Sequence, residues 1–439
     1  METRAGDPGA FATFDLARVD SPAFVVDAAK LRANLAILAD VRDRAGIKVL
    51  AALKAFSMWR VAPLVGDYLN GVCTSGLWEA LLAAEHYVSS SGAEIATYCA
   101  AYKAEDLAEI CRISDHLIFN SPGQLERFLP QLALARAGGD VFDVALRINP
   151  LHAEGEVPRY DPCAPHSRLG FPVNQLTDDH MEGVDGLHFH TLCEQDFAPL
   201  ERTWAALEPR IARWLPQLKW LNFGGGHHIT RCDYQRDELI AFLRRVKAET
   251  GCEIYLEPGE AVALDAGILV GTVLDTGSNG MHLAITDISA TCHMPDVIEA
   301  PYRPAMLGEA GGGDFPPEAP AFAGERDIIA SRDPAQAGTS GDNAQRVPAQ
   351  AGTSGDNALT VRLGGPSCLA GDVIGDYRFA APPVPGQRFA FLDQAHYSMV
   401  KTTTFNGVPL PSIWLWDSAD DSLECVKRFG YADFRDRLS

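Results

Sequence analysis

The feature that most restricts the fold is a regular alternation of short apolar runs with amphipathic helical segments between Asp27 and about Glu257. Each run followed by a helical repeat is typical of a βα unit. The predicted strands are residues 49–54, 71–74, 95–99, 116–120, 144–148, 187–190, 220–223 and 254–257. Eight such units over about 230 residues favour a closed (β/α)8 TIM-type barrel, an α/β fold, over the alternative of an open doubly wound sheet.

The helical segments carry their own start and stop signals. In the first of them Asp27 can cap the N-terminus, Gly46 can end the helix, and four apolar residues between them recur at helical spacing. Further helices are predicted at 78–86, 105–113, 122–132 and 237–249.

The pattern changes after Pro258, where short strand-like runs separated by turns predominate. Runs at 268–274, 283–286, 359–363 and 388–392 predict a C-terminal all-β domain, and we expect the early run 23–26 to pair with it. The predicted domains are therefore 1–27 as a segment of the β domain, 28–262 as the barrel and 263–439 as the β domain. A Gly-, Pro-, Ala- and Ser-rich insertion at about 311–358 repeats PAQAGTSGDNA at 334–344 and 348–358, which favours a flexible surface segment.

Composition restricts the partners and the compartment. The formal net charge of -21 argues against nucleic acid and suits either simple solubility or attraction of a cationic ligand. We expect no membrane span, because no run of eighteen apolar residues occurs, and no secretory signal, because METRAGDPGAFATFD lacks a basic start and an apolar core. Ten cysteines without a CxxC pair favour a reduced, cytoplasmic setting.

Several chemically capable side chains follow the carboxyl ends of predicted strands. Lys54 ends the first strand, Arg147 lies near the end of the fifth, His190 ends the sixth and Glu257 ends the eighth. Gly224–Gly226 follow the seventh, where barrel enzymes commonly bind phosphate. Because barrel enzymes build their sites at this rim, we expect these groups to share one site.

Each group has a plainer interpretation beside the catalytic one. A buried Lys54 would have a lowered pKa suited to a Schiff base, or its amine could reach out to solvent. Glu257 could hold a heterocyclic nitrogen protonated, or form an ion pair at a turn. The Gly224–Gly226 run could cradle an anion with backbone N–H groups, or form a tight turn.

A metal site is a weaker alternative. His188 and His190 share one face of a strand, and His227 and His228 add to the number of imidazoles, as in a metal-dependent barrel hydrolase. In such hydrolases, however, the HxH pair ends the first strand rather than the sixth, so we expect no metal. Cys193, Cys292 and Cys368, taken singly, are more often buried inert thiols.

Taken together, these residues resemble the alanine-racemase/ornithine-decarboxylase barrel family of pyridoxal-phosphate enzymes, and most closely its carboxynorspermidine/carboxyspermidine decarboxylase branch. The resemblance covers nearly the whole chain except the first dozen residues and the insertion. The matching segments are ALKAFSM, CTSGLWEA, IFNSPGQLERF, YDPCAPHSRLG, LHFHTLCEQ, WLNFGGGHHITR, YLEPGEAV, SATCHMPDV, LGGPSCLAGDVIGDY and AHYSMVKTTTFNG.

The resemblance implies roles for individual residues. Lys54 would hold pyridoxal 5'-phosphate as a Schiff base, and Glu257 would pair with its ring nitrogen, which favours decarboxylation. The other implied cofactor-binding residues are Arg147, His190, Gly224, Gly225, Gly226, Gly259 and Tyr397. The resemblance further implies a homodimer with shared active sites, in which Cys368, Asp372 and Tyr397 enter from the second subunit. There Cys368 would reprotonate the product carbon, and Asp372 would face the distal amine of the substrate.

The implied reaction is decarboxylation of carboxyspermidine or carboxynorspermidine to spermidine or norspermidine. Carboxylates must then bind the amine tail, and the candidates are Asp372, Glu194, Asp296 and Glu260. Glu260 is also a departure, because related basic-amino-acid decarboxylases carry EPGR, whose arginine binds phosphate. His228 with the glycine amides is the expected replacement. Decarboxylases of diaminopimelate, ornithine or arginine remain alternatives.

Overall fold

The computed structural model describes residues 6–88, 92–155, 159–299, 302–310 and 358–439. The predicted insertion, with most of its repeat, lies outside these residues.

The strands are β1 (Ala23–Asp27), β2 (Lys48–Ala52), β3 (Gly71–Thr74), β4 (Glu94–Cys99), β5 (His116–Phe119), β6 (Asp143–Asn149), β7 (Phe171–Pro172), β8 (Gly186–His188), β9 (Trp220–Asn222), β10 (Glu253–Leu256), β11 (Gly267–Ser278), β12 (His282–Thr286), β13 (Leu359–Gly364), β14 (Val373–Phe379), β15 (Arg388–Leu392), β16 (Ser412–Asp417) and β17 (Ser422–Lys427).

Helices follow most of the early strands. They are α1 (Ala28–Ala45), α2 (Ala62–Tyr68), α3 (Leu77–His86), α4 (Leu107–Ile113), α5 (Pro122–Ala137), α6 (Phe197–Ile211), α7 (Arg236–Thr250), α8 (Glu260–Ala263), α9 (Ala290–His293), α10 (Asp296–Glu299), α11 (Tyr397–Val400) and α12 (Tyr431–Arg435). The predicted signals of α1 hold, since Asp27 accepts a hydrogen bond from the Ala29 N–H and Gly46 ends the helix at φ 68°. Among the described residues, no helix is both long and apolar enough to cross a bilayer.

Eight parallel strands form a closed barrel. The pairing order runs β5-β4-β3-β2-β10-β9-β8-β6, and a direct β5–β6 pairing closes the ring. The prediction of a (β/α)8 barrel is therefore confirmed, and the doubly wound alternative is wrong. One face of the strands packs on the helices, and the other fills the barrel with Leu50, Ala96, Ile118, Ala145, Trp220 and Tyr255. Both faces are buried, which explains why the strands read as continuous apolar runs.

A second sheet contains the C-terminal strands and the first strand of the chain. Its order is β14-β13-β12-β11-β1-β16-β17, with β15 also paired to β11. β1 runs antiparallel to β11 and parallel to β16, so residues 23–27 lie in the middle of this sheet. Strands β14, β16 and β17 were not named in the sequence analysis. The exact domain boundaries at 27/28 and 262/263 stay predictions.

A polar network closes the barrel at the amino ends of its strands. Glu94 forms an ion pair with Lys48, accepts a hydrogen bond from Tyr255 at 2.9 Å and lies 3.3 Å from the ring of His116. Burial alone would raise the pKa of Glu94, but the bonds from His116 and Lys48 outweigh it and lower the pKa to about 2. Glu94 thus joins four barrel strands on the side opposite the site described below.

We expect Glu94→Gln to lower the free energy of unfolding by about 2–3 kcal/mol near neutral pH. Because the pKa of Glu94 is depressed by folding, its contribution is complete above the unfolded pKa. It is lost as the pH falls from about 4.5 to about 2. Urea unfolding of both proteins at about pH 7 and about pH 3 measures this. If the two proteins differ in free energy of unfolding by the same amount at both pH values, the lowered pKa assigned to Glu94 is contradicted.

Candidate active site

Lys54 lies two residues beyond β2, at the carboxyl rim of the barrel. Its side chain is exposed to solvent, and the titratable groups around it are Arg147, Cys73, Cys193 and Glu257; we call the space among these groups the cleft. The ammonium is 5.6 Å from the centre of the Tyr397 ring. Displacement of water by the cleft walls and the positive charge of Arg147 lower the pKa of Lys54 below its ordinary 10.5. The cleft therefore favours the free, nucleophilic amine more than bulk water does.

Glu257 follows β10 and is held by two neighbouring strands. His188 of β8 approaches one carboxylate oxygen at 3.2 Å, and the amide of Asn222 in β9 donates to the other at 2.7 Å. Burial would raise the pKa of Glu257, but the neighbouring His188 ring with its hydrogen bond and the bond from Asn222 lower it below 4.5. Burial lowers the pKa of His188 itself, so this ring acts as a neutral hydrogen-bond donor. Glu257 is therefore a largely enclosed carboxylate, with 10% of its side chain exposed, that stays ionised. The charges of both Lys54 and Glu257 act on the Cys73 thiol of β3, which places these groups in one cleft.

His190 and Arg147 lie on the same rim. Burial, together with the charges of Lys54 and Arg147, lowers the pKa of His190 well below 6.5, so its imidazole is neutral. Its Nδ1 accepts a hydrogen bond from the Gly225 N–H at 3.0 Å. The buried guanidinium of Arg147 lies 4.6 Å from the centre of the Tyr98 ring and donates to the His190 carbonyl at 3.3 Å. Arg147 thus fixes the backbone that carries His190.

The glycine run after β9 is more tightly enclosed than the sequence indicated. The Gly224 N–H donates to Asn222 Oδ1 at 2.8 Å, and the Gly225 N–H donates to His190. Two of the three expected anion donors are thus directed at protein acceptors. Gly224 and Gly226 have φ of 65° and 88°, and a side chain at Gly225 would collide with the Glu257 carbonyl. A Cβ on Gly259 would come within 2.7 Å of Ala55. Glycine is needed here for close packing.

A cluster of charged side chains adjoins the glycine run, and we call it the histidine–carboxylate cluster: Glu194, His228, Glu260, Asp393 and His396. His228 Nε2 lies 3.3 Å from Glu260, and His396 Nε2 lies 3.6 Å from Glu260 and 3.2 Å from Asp393. Asp393 and His396 of this cluster were not predicted from the sequence. The available signal was their position just before Tyr397 in the segment LDQAHYS.

The cluster keeps its imidazoles charged. Burial lowers the pKa of His396, but Asp393 and Glu260 raise it more strongly, to about 10. His228 is likewise raised above 6.5, chiefly by Glu260 acting against burial. In return the two histidines overcome burial and lower the pKa of Glu260 to about 2. Glu260 and then burial raise the pKa of Glu194, which has φ of 56° and faces the open cleft.

One expectation about the second subunit is corrected, and a second stays a prediction. Tyr397 was expected to enter from a second subunit, but its ring already lies beside Lys54 of the same chain, because β15 leads directly into α11. The role expected of Asp372, to face the substrate amine from the second subunit, stays a prediction; within its own chain Asp372 is 4% exposed and contacts the loop that carries Cys368. Its carboxylate accepts hydrogen bonds from Ser289 at 2.8 Å, from Ser367 at 2.5 Å and from the Thr291 N–H at 3.3 Å. With these three hydrogen bonds, the carboxylate of Asp372 stabilises the loop that carries Cys368.

The remaining candidates are placed as follows. Cys368 is exposed between β13 and β14, and its N–H donates to Asn406 Oδ1 at 2.7 Å. Asp296 at the start of α10 accepts a hydrogen bond from the Lys401 ammonium at 2.5 Å and another from the Tyr160 hydroxyl at 3.3 Å. Cys193, Glu194, Glu260 and Asp296 all act electrostatically on the Tyr397 hydroxyl, so they surround one end of the cleft.

The histidines of the metal alternative have separate partners. His188 contacts Glu257, His190 accepts from Gly225, and His227 Nδ1 lies 2.6 Å from the Tyr234 hydroxyl. Burial lowers the pKa of His227 to about 3. These contacts give each ring a structural role in the protein.

Comparison with known proteins gives strong full-length matches. The chain is 35% identical over 417 residues to a carboxynorspermidine/carboxyspermidine decarboxylase of Campylobacter jejuni, covering 95% of this chain and 98% of that protein. It is 36% identical over 425 residues to a carboxyaminopropylagmatine decarboxylase of Synechocystis, covering 96% of both. No family model matches the chain.

A solved structure agrees with these relatives. The crystal structure of carboxynorspermidine decarboxylase from Campylobacter jejuni, complexed with norspermidine, superimposes with a TM-score of 0.77 at 35% identity. The match covers 95% of this chain and 100% of that chain. Both the full-length similarity and the shared architecture lead to one conclusion. The chain belongs to the carboxynorspermidine/carboxyspermidine decarboxylase family.

Proposed function

We propose that this protein is a pyridoxal-phosphate-dependent carboxy-lyase of polyamine biosynthesis. It converts carboxyspermidine or carboxynorspermidine to spermidine or norspermidine. The observation that carries the proposal is the pairing, in one cleft, of a lysine with a lowered pKa and a buried carboxylate kept ionised by His188 and Asn222. Membership of a decarboxylase family supports it.

The residues present fit the cofactor. Lys54 offers the amine that an aldehyde needs, and Glu257 offers an anion for a pyridine nitrogen. Glycines that tolerate no Cβ flank both, at Gly225 and Gly259. Buried imidazole nitrogens of His228 and His396 have no hydrogen-bond partner among the described residues, so polar capacity remains beside the glycine run.

Each side chain then has a defined task. Bound at Lys54, the cofactor supplies an electron sink for the carbon that loses carbon dioxide. Glu257 favours the protonated form of a ring nitrogen placed against it, because a carboxylate stabilises a neighbouring cation. His190, which is neutral, offers an uncharged face for stacking, and Arg147 holds its backbone. Lys54 would hold the cofactor through its amine between turnovers.

The amine tail of the substrate is bound by the carboxylates around Tyr397. Glu194 is the leading candidate, because it faces the cleft, whereas Asp296 is already paired with Lys401 and Glu260 with histidines. A hydrogen bond between an ammonium and a carboxylate contributes about 1.5–3 kcal/mol. The net charge of -21 adds a weaker long-range attraction for cationic substrates.

Cys368 donates the proton that replaces carbon dioxide on the product carbon. Its exposed position supports a head-to-tail dimer in which Cys368 of a second copy completes the site. All ten cysteines are free, which supports a reduced cytoplasmic setting.

A second candidate substrate is carboxyaminopropylagmatine, because a relative of 36% identity bears that activity in its name. Its tail ends in a guanidinium rather than an ammonium, so the same carboxylates could bind it. Diaminopimelate, ornithine and arginine are the further alternative substrates.

The deciding experiment measures release of carbon dioxide from carboxyspermidine, carboxynorspermidine, carboxyaminopropylagmatine, diaminopimelate, ornithine and arginine. We expect kcat/KM for a carboxylated polyamine to exceed that for the three amino acids by at least about tenfold, for one extra ammonium contact. Equal or higher kcat/KM for diaminopimelate or ornithine would contradict the proposed substrate class.

We expect Lys54→Ala to abolish both turnover and the trapping of the cofactor by borohydride, because no other amine replaces the lost nucleophile in the cleft. The variant Lys103→Ala, which removes an exposed lysine, is the control and should retain both. Turnover in Lys54→Ala within about tenfold of the parent would refute the role of Lys54.

We expect Asp372→Asn to destabilise the protein by about 1–3 kcal/mol, because buried donors lose their charged acceptor. The control is Asp376→Asn in β14, which breaks a half-exposed ion pair with Arg362 of the neighbouring strand β13 and should cost about 1 kcal/mol or less. Denaturant unfolding without substrate measures both. If Asp372→Asn instead leaves stability unchanged and raises only KM, Asp372 is a substrate ligand, as the family resemblance implies.

We expect Cys368→Ala to slow formation of the triamine, or to divert it toward aldehyde through protonation at the wrong atom, without loss of cofactor. Chromatographic product ratios and cofactor absorbance measure the two effects. The matched variant Cys425→Ala removes another thiol of the second sheet and should behave like the parent. An unchanged rate and product ratio in Cys368→Ala would remove Cys368 from the mechanism.

A further inference from the structure

The histidine–carboxylate cluster brings together four segments of the chain at one end of the cleft. His228 follows the glycine run, Glu260 follows Gly259, His396 precedes Tyr397, and Glu194 follows β8. Tyr397 in turn lies beside Lys54, and the charge of Lys54 helps to lower the pKa of Glu260. The cluster is therefore next to the amine that would hold the cofactor, on the side of the glycine run.

Two backbone donors of the glycine run are already engaged at this end of the cleft. Gly224 and Gly225 direct their N–H groups at Asn222 and His190. The carboxylate of Glu260 has the same sign of charge as a phosphate and cannot bind it. The positive charge that a phosphate needs must therefore come from other groups.

His228 and His396 can supply both positive charge and N–H donors. They are 7% and 9% exposed, and His228 Nε2 and both ring nitrogens of His396 form no hydrogen bond within the described residues. The ion pairs with Glu260 and Asp393 are close but poorly aligned for hydrogen bonding. Buried polar atoms without partners are rare in proteins unless a ligand, an ion or water satisfies them. Here the unsatisfied atoms are imidazole nitrogens aimed among charged neighbours.

We propose that His228 and His396, paired with Glu260 and Asp393, supply the positive charge and N–H donors that bind the phosphate of the cofactor. The proposal rests on the proposed function, because it needs pyridoxal phosphate at Lys54. Glu260 then has an indirect task as a positioning residue: it lies next to an anion site yet strengthens anion binding, because it keeps the imidazoles protonated. Glu194, Asp393, His227 and Tyr397 are the other titratable groups near these imidazoles.

The test compares two aldehydes, pyridoxal phosphate and pyridoxal, which differ only in the phosphate. Each is added to the full-length protein freed of cofactor, and binding is followed by absorbance of the adduct with Lys54. We expect His228→Ala and His396→Ala each to weaken the affinity for pyridoxal phosphate by about 10- to 100-fold, while the affinity for pyridoxal stays within about twofold. The control His86→Ala removes a half-buried histidine that also pairs with a glutamate, and should alter neither affinity.

Glu260→Gln gives the sharper result. If Glu260 merely repels the phosphate, its neutralisation tightens the binding of pyridoxal phosphate. If it charges the imidazoles, its neutralisation weakens that binding, and more so as the pH rises, because His228 then deprotonates nearer its ordinary pKa. Tighter binding in Glu260→Gln, or unchanged affinity in both histidine variants, would overturn the inference.

Failure of the proposed function gives a different outcome. In that case the parent protein forms no absorbing adduct with either aldehyde. If the parent protein forms an adduct but the histidine variants lose affinity for both aldehydes equally, the histidines have a structural role. That result overturns only the inference.

Discussion

The site depends above all on the carboxylate of Glu257 and the two groups that keep it ionised. A buried carboxyl group would normally hold its proton, but His188 and Asn222 donate from the two preceding strands of the barrel. Asn222 also accepts from Gly224, so one amide side chain aligns the acid and the glycine run. Parallel strands bring these three residues together because their carboxyl ends meet at the same rim.

Charge is distributed in the cleft so that neighbouring groups set each other's protonation. Burial and the charge of Arg147 lower the pKa of Lys54, and burial with the charges of Lys54 and Arg147 keeps His190 neutral. At the other end, Asp393 and Glu260 keep His396 protonated, with a pKa of about 10. The cleft thus contains an anion at Glu257 and charged imidazoles in the histidine–carboxylate cluster, which suits a ligand that carries both a basic ring and an acidic group.

The barrel and most of its rim could be predicted from the sequence, because buried parallel strands are apolar runs that end at Lys54, His190 and Glu257. The contacts of the β domain could not, since they join residues far apart in the chain. His396 is one example: its ion pair with Glu260 depends on how β15 and α11 approach the barrel. Asp372 is another, because motif similarity identified the residue but not its burial among Ser289, Thr291 and Ser367.

The protonation state of the bound cofactor's ring nitrogen tests the central claim most directly. Nuclear magnetic resonance of the protein loaded with cofactor isotopically labelled at that nitrogen reports whether a proton is attached. A carboxylate kept ionised at position 257 requires a protonated nitrogen in the parent protein and an unprotonated one after Glu257→Gln. An unprotonated nitrogen in the parent, or a signal that the substitution leaves in place, would contradict the assignment of Glu257 as the partner of the ring.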